Sequence, residues 1–331
     1  MLNSPQRNAP TGRPQGPGRQ PPPQPSSQFD QPRTDSYRAT PPLLGYQQVV
    51  LPLNGYPPNE RAIPVAQVLA DTLRVNMVLA SMLFDDKMHD QRTQLLRGLG
   101  ARLSGLETST TVSQGRDPSA YVLDQINDQQ SLVILAGGTT VLGIPGSVTT
   151  DVLRFAANPF VIVGPNVGTS WSGPIERIIV PLDGSEAAET SLPTAVAWAR
   201  FLNARLDIIQ VLDPSDQYRA DHYLADAGSD VVESGYLEQT AIRLHSANES
   251  HSANESGTDH RELPALRPIN FEVLHATKAK RVESISSYVG ESSNRVLCMA
   301  SNGFHRSGSM VAGVSLRIIH HSQVPAIIVR S

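Results

Sequence analysis

Two places in this chain pair a strand-ending acid or amide with a later glycine-rich turn, the residue types that hold sugar hydroxyls and phosphates. Asp183 ends the apolar run of Arg177-Ile-Ile-Val-Pro-Leu-Asp-Gly-Ser185, and Asn54 ends a like run in Val49-Val-Leu-Pro-Leu-Asn-Gly55. A carboxylate there suits a ribose hydroxyl pair, and an amide can still hydrogen-bond it without charge. Downstream, a loop beginning at Gly137 leads through Gly146-Ser-Val-Thr149 into helical sequence. Free backbone N–H groups, Ser147 and Thr149 at a helix N-terminus favour a phosphate. The plainer account is that Ser147 or Thr149 caps its own helix, which alone explains the residue type.

Catalytic chemistry finds less support. No Ser/His/Asp set, paired carboxylates or metal cluster converges on these places, so no catalytic and no metal-ligating residue is assigned. His305 lies in the second glycine-rich loop, while His320 and His321 read as surface residues near a helix C-terminus. The one cysteine, Cys298, sits in an apolar run and reads as a small buried hydrophobe.

The elements that position these residues occur twice. Pro52 matches Pro181, Asn54 matches Asp183, and in each copy another proline, Pro64 or Pro193, falls ten residues after the Asn or Asp. Apolar residues then recur at helical spacing in both copies. The first unit reads as strand to Leu53, helix over about 59–74, strand over 76–83, a weakly apolar helix, and strand near 108–113. Asp117 and Pro118 then start a helix as N-cap and first helical residue. Strands over 132–135 and 160–163 flank a helix starting at Ser147. The second unit repeats the order, with strands at 178, 206–212, 271–275, 295–299 and 326–329. Alternating strands and helices predict a parallel sheet with helices on both faces.

The repeat offset grows from 129 residues, Pro52 to Pro181, to 166, Pro159 to Pro325, so the second unit holds 37 extra residues. Most of them must fall between Asp213 and Pro268, in a polar insertion that contains the hexamer His245-Ser-Ala-Asn-Glu-Ser250 twice in succession. A polar hexamer repeated at once has no core to build and reads as loop. Residues 1–44, rich in Pro, Gln, Arg and Ser, cannot bury enough apolar surface to offset their ordering entropy, and are expected to be disordered. The expected divisions are 1–44, 45–165, a linker at 166–174, and 175–331 with its insertion at about 213–268.

Bulk properties narrow the partners. A net charge of −4 gives no general attraction to nucleic acid or anionic membrane. One cysteine leaves no intramolecular disulfide. No apolar stretch approaches the ~20 residues of a membrane span, and residues 1–40 lack a signal-peptide core. The expected location is cytoplasmic, with no nucleic-acid or membrane partner.

Taken together, Val180-Pro-Leu-Asp-Gly-Ser185, Gly115-Arg-Asp-Pro118, Gly146-Ser-Val-Thr-Thr-Asp-Val-Leu-Arg154 with Asn158-Pro159, and Ser315-Leu-Arg-Ile-Ile-His320 with Val324-Pro325 carry a resemblance. The chain resembles the universal stress protein family, in its tandem two-domain form, over 46–165 and 175–331 apart from the insertion. The resemblance implies an α/β fold: two tandem Rossmann-like (adenine nucleotide alpha hydrolase-like) domains, each a mostly parallel five-stranded sheet with helices on both faces. It implies pairing through the last strands, here within one chain as an internal pseudo-dimer, with a homodimer of whole chains also open.

ATP-binding members hold nucleotide, with its Mg, on a first-strand Asp and a Gly-x2-Gly-x9-Gly-Ser/Thr loop. Carried over, Pro181 and Asp183 would hold adenosine with Val211 beside the base, and Met299, Ala300, Gly303, Gly313 and Ser315 would line the phosphate loop. In the first unit the corresponding residues are Pro52, Asn54, Gly137, Gly146, Ser147 and Thr149. Both sites depart from the pattern. Ala300 stands where the first loop glycine belongs, and a methyl can obstruct backbone approach; Asn54 replaces the Asp. The resulting expectation is a stress-response protein that binds ATP or another adenine nucleotide in at least one half. The rival is an interaction scaffold whose sites have decayed, and slow ATP hydrolysis would need a water-activating group that the sequence does not offer.

Overall fold

The computed structural model describes residues 45–53, 60–103, 105–137, 147–212, 236–244, 266–290, 292, 294–301 and 314–331. The tail 1–44, Asn54, the loop holding Gly146, the loop holding Gly303, His305 and Gly313, and the duplicated hexamer all lie outside them.

The first half runs β1 (Gln48–Pro52), α1 (Ala62–Leu73), β2 (Asn76–Leu83), α2 (His89–Arg102), β3 (Thr108–Gln114), α3 (Pro118–Asn127), β4 (Ser131–Ala136), α4 (Ser147–Phe155) and β5 (Phe160–Val163). The second runs β6 (Arg177–Leu182), α5 (Glu186–Glu189), α6 (Leu192–Leu202), β7 (Arg205–Leu212), α7 (236–244), β8 (Asn270–His275), α8 (Arg281–Val289), β9 (Arg295–Ser301), α9 (Val314–His321) and β10 (Ala326–Arg330). The strand periods read from sequence match these bounds within one or two residues.

All ten strands form one sheet in the order β3-β2-β1-β4-β5-β10-β9-β6-β7-β8. Within each half the pairs are parallel, and β5 meets β10 antiparallel. Sequence patterning explains the order. β4 and β5 are buried along their whole length and apolar but for Ser131, as suits strands covered on both faces. The edge strand β3, Thr-Ser-Thr-Thr-Val-Ser-Gln, alternates between exposed and partly buried positions.

Helices cover both faces. Ala62, Val65, Ala66 and Leu69 of α1, Leu96 of α2, and Leu192, Ala195 and Trp198 of α6 share one apolar layer. Val122 and Ile126 of α3, Val152 of α4, Val282 and Ile285 of α8, and Ile318 and Ile319 of α9 share the other. The halves match in detail. α1 and α6 both end in a left-handed residue, Arg74 at φ 58° and Asn203 at φ 50°, 129 positions apart. Each cap is followed by the same closing bond, Val75 N to Ala70 O and Ala204 N to Ala199 O.

Two stretches hold more structure than their sequence suggests. The insertion contributes a helix to the core. Residues 236–244 form α7, whose Leu237, Thr240 and Leu244 are buried. Leu237 and Leu244 join the α6-side layer, at the point in the chain order where α2 stands in the first half. The linker 166–174 also contributes to the core. Val167 and Trp171 are buried in that same layer, where an apolar strap between β5 and β6 is held more firmly than a solvated one.

Candidate functional site

In each half the chain order reverses direction across the sheet beside one strand. β6 lies between β7, which follows it, and β9, which comes later; β1 lies likewise between β2 and β4. At such a switch point the loops leaving two neighbouring strands turn to opposite faces, opening a crevice beyond the carboxyl ends of the strands. Both candidate sites fall there.

In the second half, Pro181 and Leu182 close β6, and Asp183 follows in the exposed turn. The Asp183 carboxylate accepts from Ser185 N at 3.0 Å and Ser185 Oγ at 2.6 Å, both at Oδ1. Ser185 Oγ in turn accepts from Ala188 N at 3.1 Å, capping α5. Gly184 between them has φ +80°, a conformation open to glycine at little cost. The acid read from sequence as a ribose ligand is thus also the organiser of its own turn.

Val211 and Met299 are buried and belong to the same apolar layer, beside Ile209, which pairs in register with Pro181. Ala300 is buried at the tip of β9, and Ser315, in the first turn of α9, donates from Oγ to Ala300 O at 2.9 Å. That bond ties together the two ends of the loop that holds Gly303 and Gly313. Ser301 follows Ala300, and its hydroxyl donates to Leu153 O of α4, in the other half, at 2.8 Å. Sequence reading had assigned no role to Ser301.

In the first half, Pro52 is buried at the end of β1, and Leu53 N donates to Ala80 O of β2 at 2.7 Å. Gly137, at the tip of β4, donates from its amide to Val163 O at 2.8 Å. A Cβ at Gly137 would meet Ile162 and Val163 O at 3.4 Å, so β5 crowds this position. Ser147 starts α4, and Thr149 is buried in its first turn. The structure therefore brings Pro181, Asp183, Val211, Met299, Ala300 and Ser315 to adjacent strand tips, and Pro52, Gly137 and Thr149 to the equivalent ones.

Two further features were not anticipated, while the expected burial of Cys298 is met. Glu189 of α5 accepts from Tyr236 Oη at 2.9 Å and from Arg243 Nη1 at 3.2 Å, pinning α7 to the helix that follows the Asp183 turn. Burial, with the Glu189 charge added, raises the Tyr236 phenol well above its ordinary range. Cys298 is fully buried, with its thiol directed at Ser191 O at 3.6 Å and pushed up by desolvation. His320 is lowered by partial burial and by His321 beside it. Among the described residues, no three His, Cys, Asp or Glu side chains gather as a metal site, and no helix is long and apolar enough to cross a membrane.

Comparison with known proteins agrees with this architecture. No curated protein matches the chain. A universal stress protein from Archaeoglobus fulgidus is similar in fold, with TM-score 0.56 and 15% identity, over 86% of this chain and 98% of that one. A functionally unknown protein from Pseudomonas aeruginosa is similar at TM-score 0.53 and 14% identity, over 87% of this chain and 94% of that one. At these identities the likeness shows the fold. The model of the Universal stress protein family matches residues 174–330. The second half of the chain, with its Asp183 turn, its β9 tip and its α9, thus carries a universal stress protein family domain.

Proposed function

We propose that the chain is a tandem stress-response protein of the universal stress type, an internal pseudo-dimer that binds ATP or another adenine nucleotide at the strand tips of at least one half. One observation supports this reading: Asp183, just after β6, and the Ser315–Ala300 hydrogen bond, at the end of β9, stand at the ends of neighbouring strands, where a switch-point crevice is expected. Both Asp183 bonds fall on Oδ1, so Oδ2 is the atom that would take a ribose hydroxyl. Val211 and Met299 supply the apolar flank for a base, and the N-terminus of α9 supplies N–H groups for phosphate. Magnesium would come with the phosphates. In the first half, Ser147 and Thr149 at the start of α4 offer the better phosphate end and Asn54 the weaker ribose end.

A scaffold without ligand is the second reading, and a specific observation favours it. Ser315 spends its hydroxyl on Ala300 O, and Asp183 serves its own turn, so both residues have structural work without any nucleotide.

Thermal unfolding with ATP separates the two. Ligand at 100 times its dissociation constant adds about 2.7 kcal/mol of stability. Asp183→Asn keeps the turn acceptor and removes the charge, and should shrink that shift if the second half binds. Ala300→Gly should enlarge it by opening the loop root. No ATP-dependent shift in either the intact chain or Ala300→Gly establishes the scaffold instead.

A further inference from the structure

The ten-stranded sheet has two outer strands, β3 in the first half and β8 in the second. β3 reads Thr-Ser-Thr-Thr-Val-Ser-Gln, seven residues without a charge or a proline, so it lacks the usual guards of a free edge. Its inner side is engaged. Met77 N donates to Glu107 O and Gly115 N to Leu83 O, and a parallel ladder bonds a given neighbour through every second residue. Ser109, Thr111 and Ser113 therefore turn their backbone groups to β2, while Thr108, Thr110, Val112 and Gln114 turn theirs outward. Among the described residues nothing pairs with that outer row.

The equivalent edge in the second half is guarded. Thr111 stands in register with Ala80 of β2, and Glu272 with Ile209 of β7, 129 positions further on, so Glu272 is the counterpart of Thr111. Both side chains are exposed. A copy of β8 laid antiparallel against itself about Glu272 would set two carboxylates face to face, which is destabilising. The same pairing of β3 about Thr111 sets two threonines there, a favourable cross-strand pair. The flank of β3 is apolar as well. Phe84, Met88 and Leu95 are 68%, 51% and 50% exposed, and all three lie on the segment between β2 and β3.

From these features we infer that β3 is a docking edge for a second copy of the chain, paired antiparallel and centred on Thr111. That register sets Thr110 opposite Val112 and Thr108 opposite Gln114, so the outward rows of both strands fall into hydrogen-bonded pairs. It repeats between chains the antiparallel pairing of equivalent strands that β5 and β10 make between the halves. α2 covers β2 and β3, since a Cβ on its Gly100 would meet both Thr108 and Leu79. A twofold axis at the seam thus brings the two α2 helices to about 10 Å, the spacing of packed helices, with a half-exposed Leu95 on each. Such a self-complementary contact closes at two chains. Nucleotide binding plays no part in it.

Sedimentation of the full chain over a concentration series tests the inference. The unsubstituted chain should form a dimer, and exchange at the Thr110 and Val112 amides should slow as the dimer fills. Thr111→Glu and Thr111→Lys each set like charges across the seam and should weaken self-association by about five- to tenfold, more at low salt. Thr111 is exposed, so neither substitution disturbs the core. Mixing the two variants should recover the dimer, because Glu then faces Lys. Thr110→Pro removes an outward N–H without touching the bonds to β2, and should abolish the dimer. A chain that stays monomeric overturns the inference, as does a dimer that persists unchanged in all three variants. A mixture no stronger than its components overturns it too. Slow exchange at Thr110 and Val112 in a monomer would mean that another part of the same chain covers the edge, and the docking of a second copy would fall.

Discussion

Val161 stands directly opposite Ile327 across the antiparallel β5–β10 pair, and the two are the same residue of the repeated unit, 166 positions apart. Their neighbours obey the same relation: Phe160 faces Ile328, and Ile162 faces Ala326. The register therefore maps onto itself when the halves are exchanged, as it would about a twofold axis between Val161 and Ile327. An exact self-pairing joins two five-strand sets without leaving either β5 or β10 as an apolar edge.

The joint should be measurably cooperative. Both side chains are buried, on β5 and β10 within the same apolar layer. Ile327→Ala should cost about 2–5 kcal/mol in urea unfolding, the usual range for such truncations. Val161→Ala should cost somewhat less. The double variant should depart from additivity by about 0.5–1 kcal/mol, because the side chains face one another. Full additivity would mean that the halves meet without direct coupling at this pair.

Two glycines of α2 should respond oppositely to alanine. A Cβ at Gly98 meets nothing within 4 Å, whereas one at Gly100 would lie 2.7 Å from Thr108 Oγ1 and 3.4 Å from Thr108 Cβ. Gly98→Ala should stabilise by about 0.5–1 kcal/mol through helix propensity. Gly100→Ala should lose that gain and turn destabilising, since β3 and the branched Thr108 side chain must give way. Urea midpoints of the two variants decide it, and equal effects would mean α2 stands further from β3.

Tyr46 predicts an alkaline weakness. Burial pushes its phenol up to about 12 from the ordinary value near 10. Because the folded-state value is the raised one, the contribution is complete below about pH 10, where the phenol is protonated in both states. Above that, the unfolded chain ionises first, and stability falls by up to about 1.4 kcal/mol per pH unit until about pH 12. Tyr288, also raised to about 12 by desolvation and by the Asp207 charge, adds in the same direction. Tyr46→Phe should flatten the decline between pH 10 and 12 in urea titrations, and an unchanged decline would assign it elsewhere.

The Glu189–Arg243 pair should matter to stability more than a surface ion pair does. Their side chains are 10% and 25% exposed, so removing one strands the other away from water. Arg243→Met keeps the stem packing and should cost about 3 kcal/mol, while adding Glu189→Gln should recover a good part of it. If the single substitution costs under 1 kcal/mol, α7 is held by Leu237, Leu244 and the Tyr236–Glu189 bond without the ion pair.

Much of the fold is legible in the sequence. The apolar runs of β4, β5, β6, β9 and β10 are too short for helices and too apolar for loops, and the paired prolines set the two units in register. α7 was missed although its signal was present: Leu237, Thr240 and Leu244 fall on one helical face. The polar hexamers beside it diluted that periodicity. Ser301 carried no signal at all, because a serine after a strand is ordinary and its partner lies 148 positions away.

The sequence by itself determined that one α/β plan is used twice, and which residue types stand at each pair of strand tips, since periodicity and turn chemistry are local properties. Only the tertiary structure decided that the ten strands form one sheet, that α7 joins the core, and that Ser301 of one half bonds α4 of the other. Those outcomes depend on contacts between distant segments, where burial of complementary apolar faces and the hydrogen-bonding of otherwise orphaned carbonyls choose the arrangement.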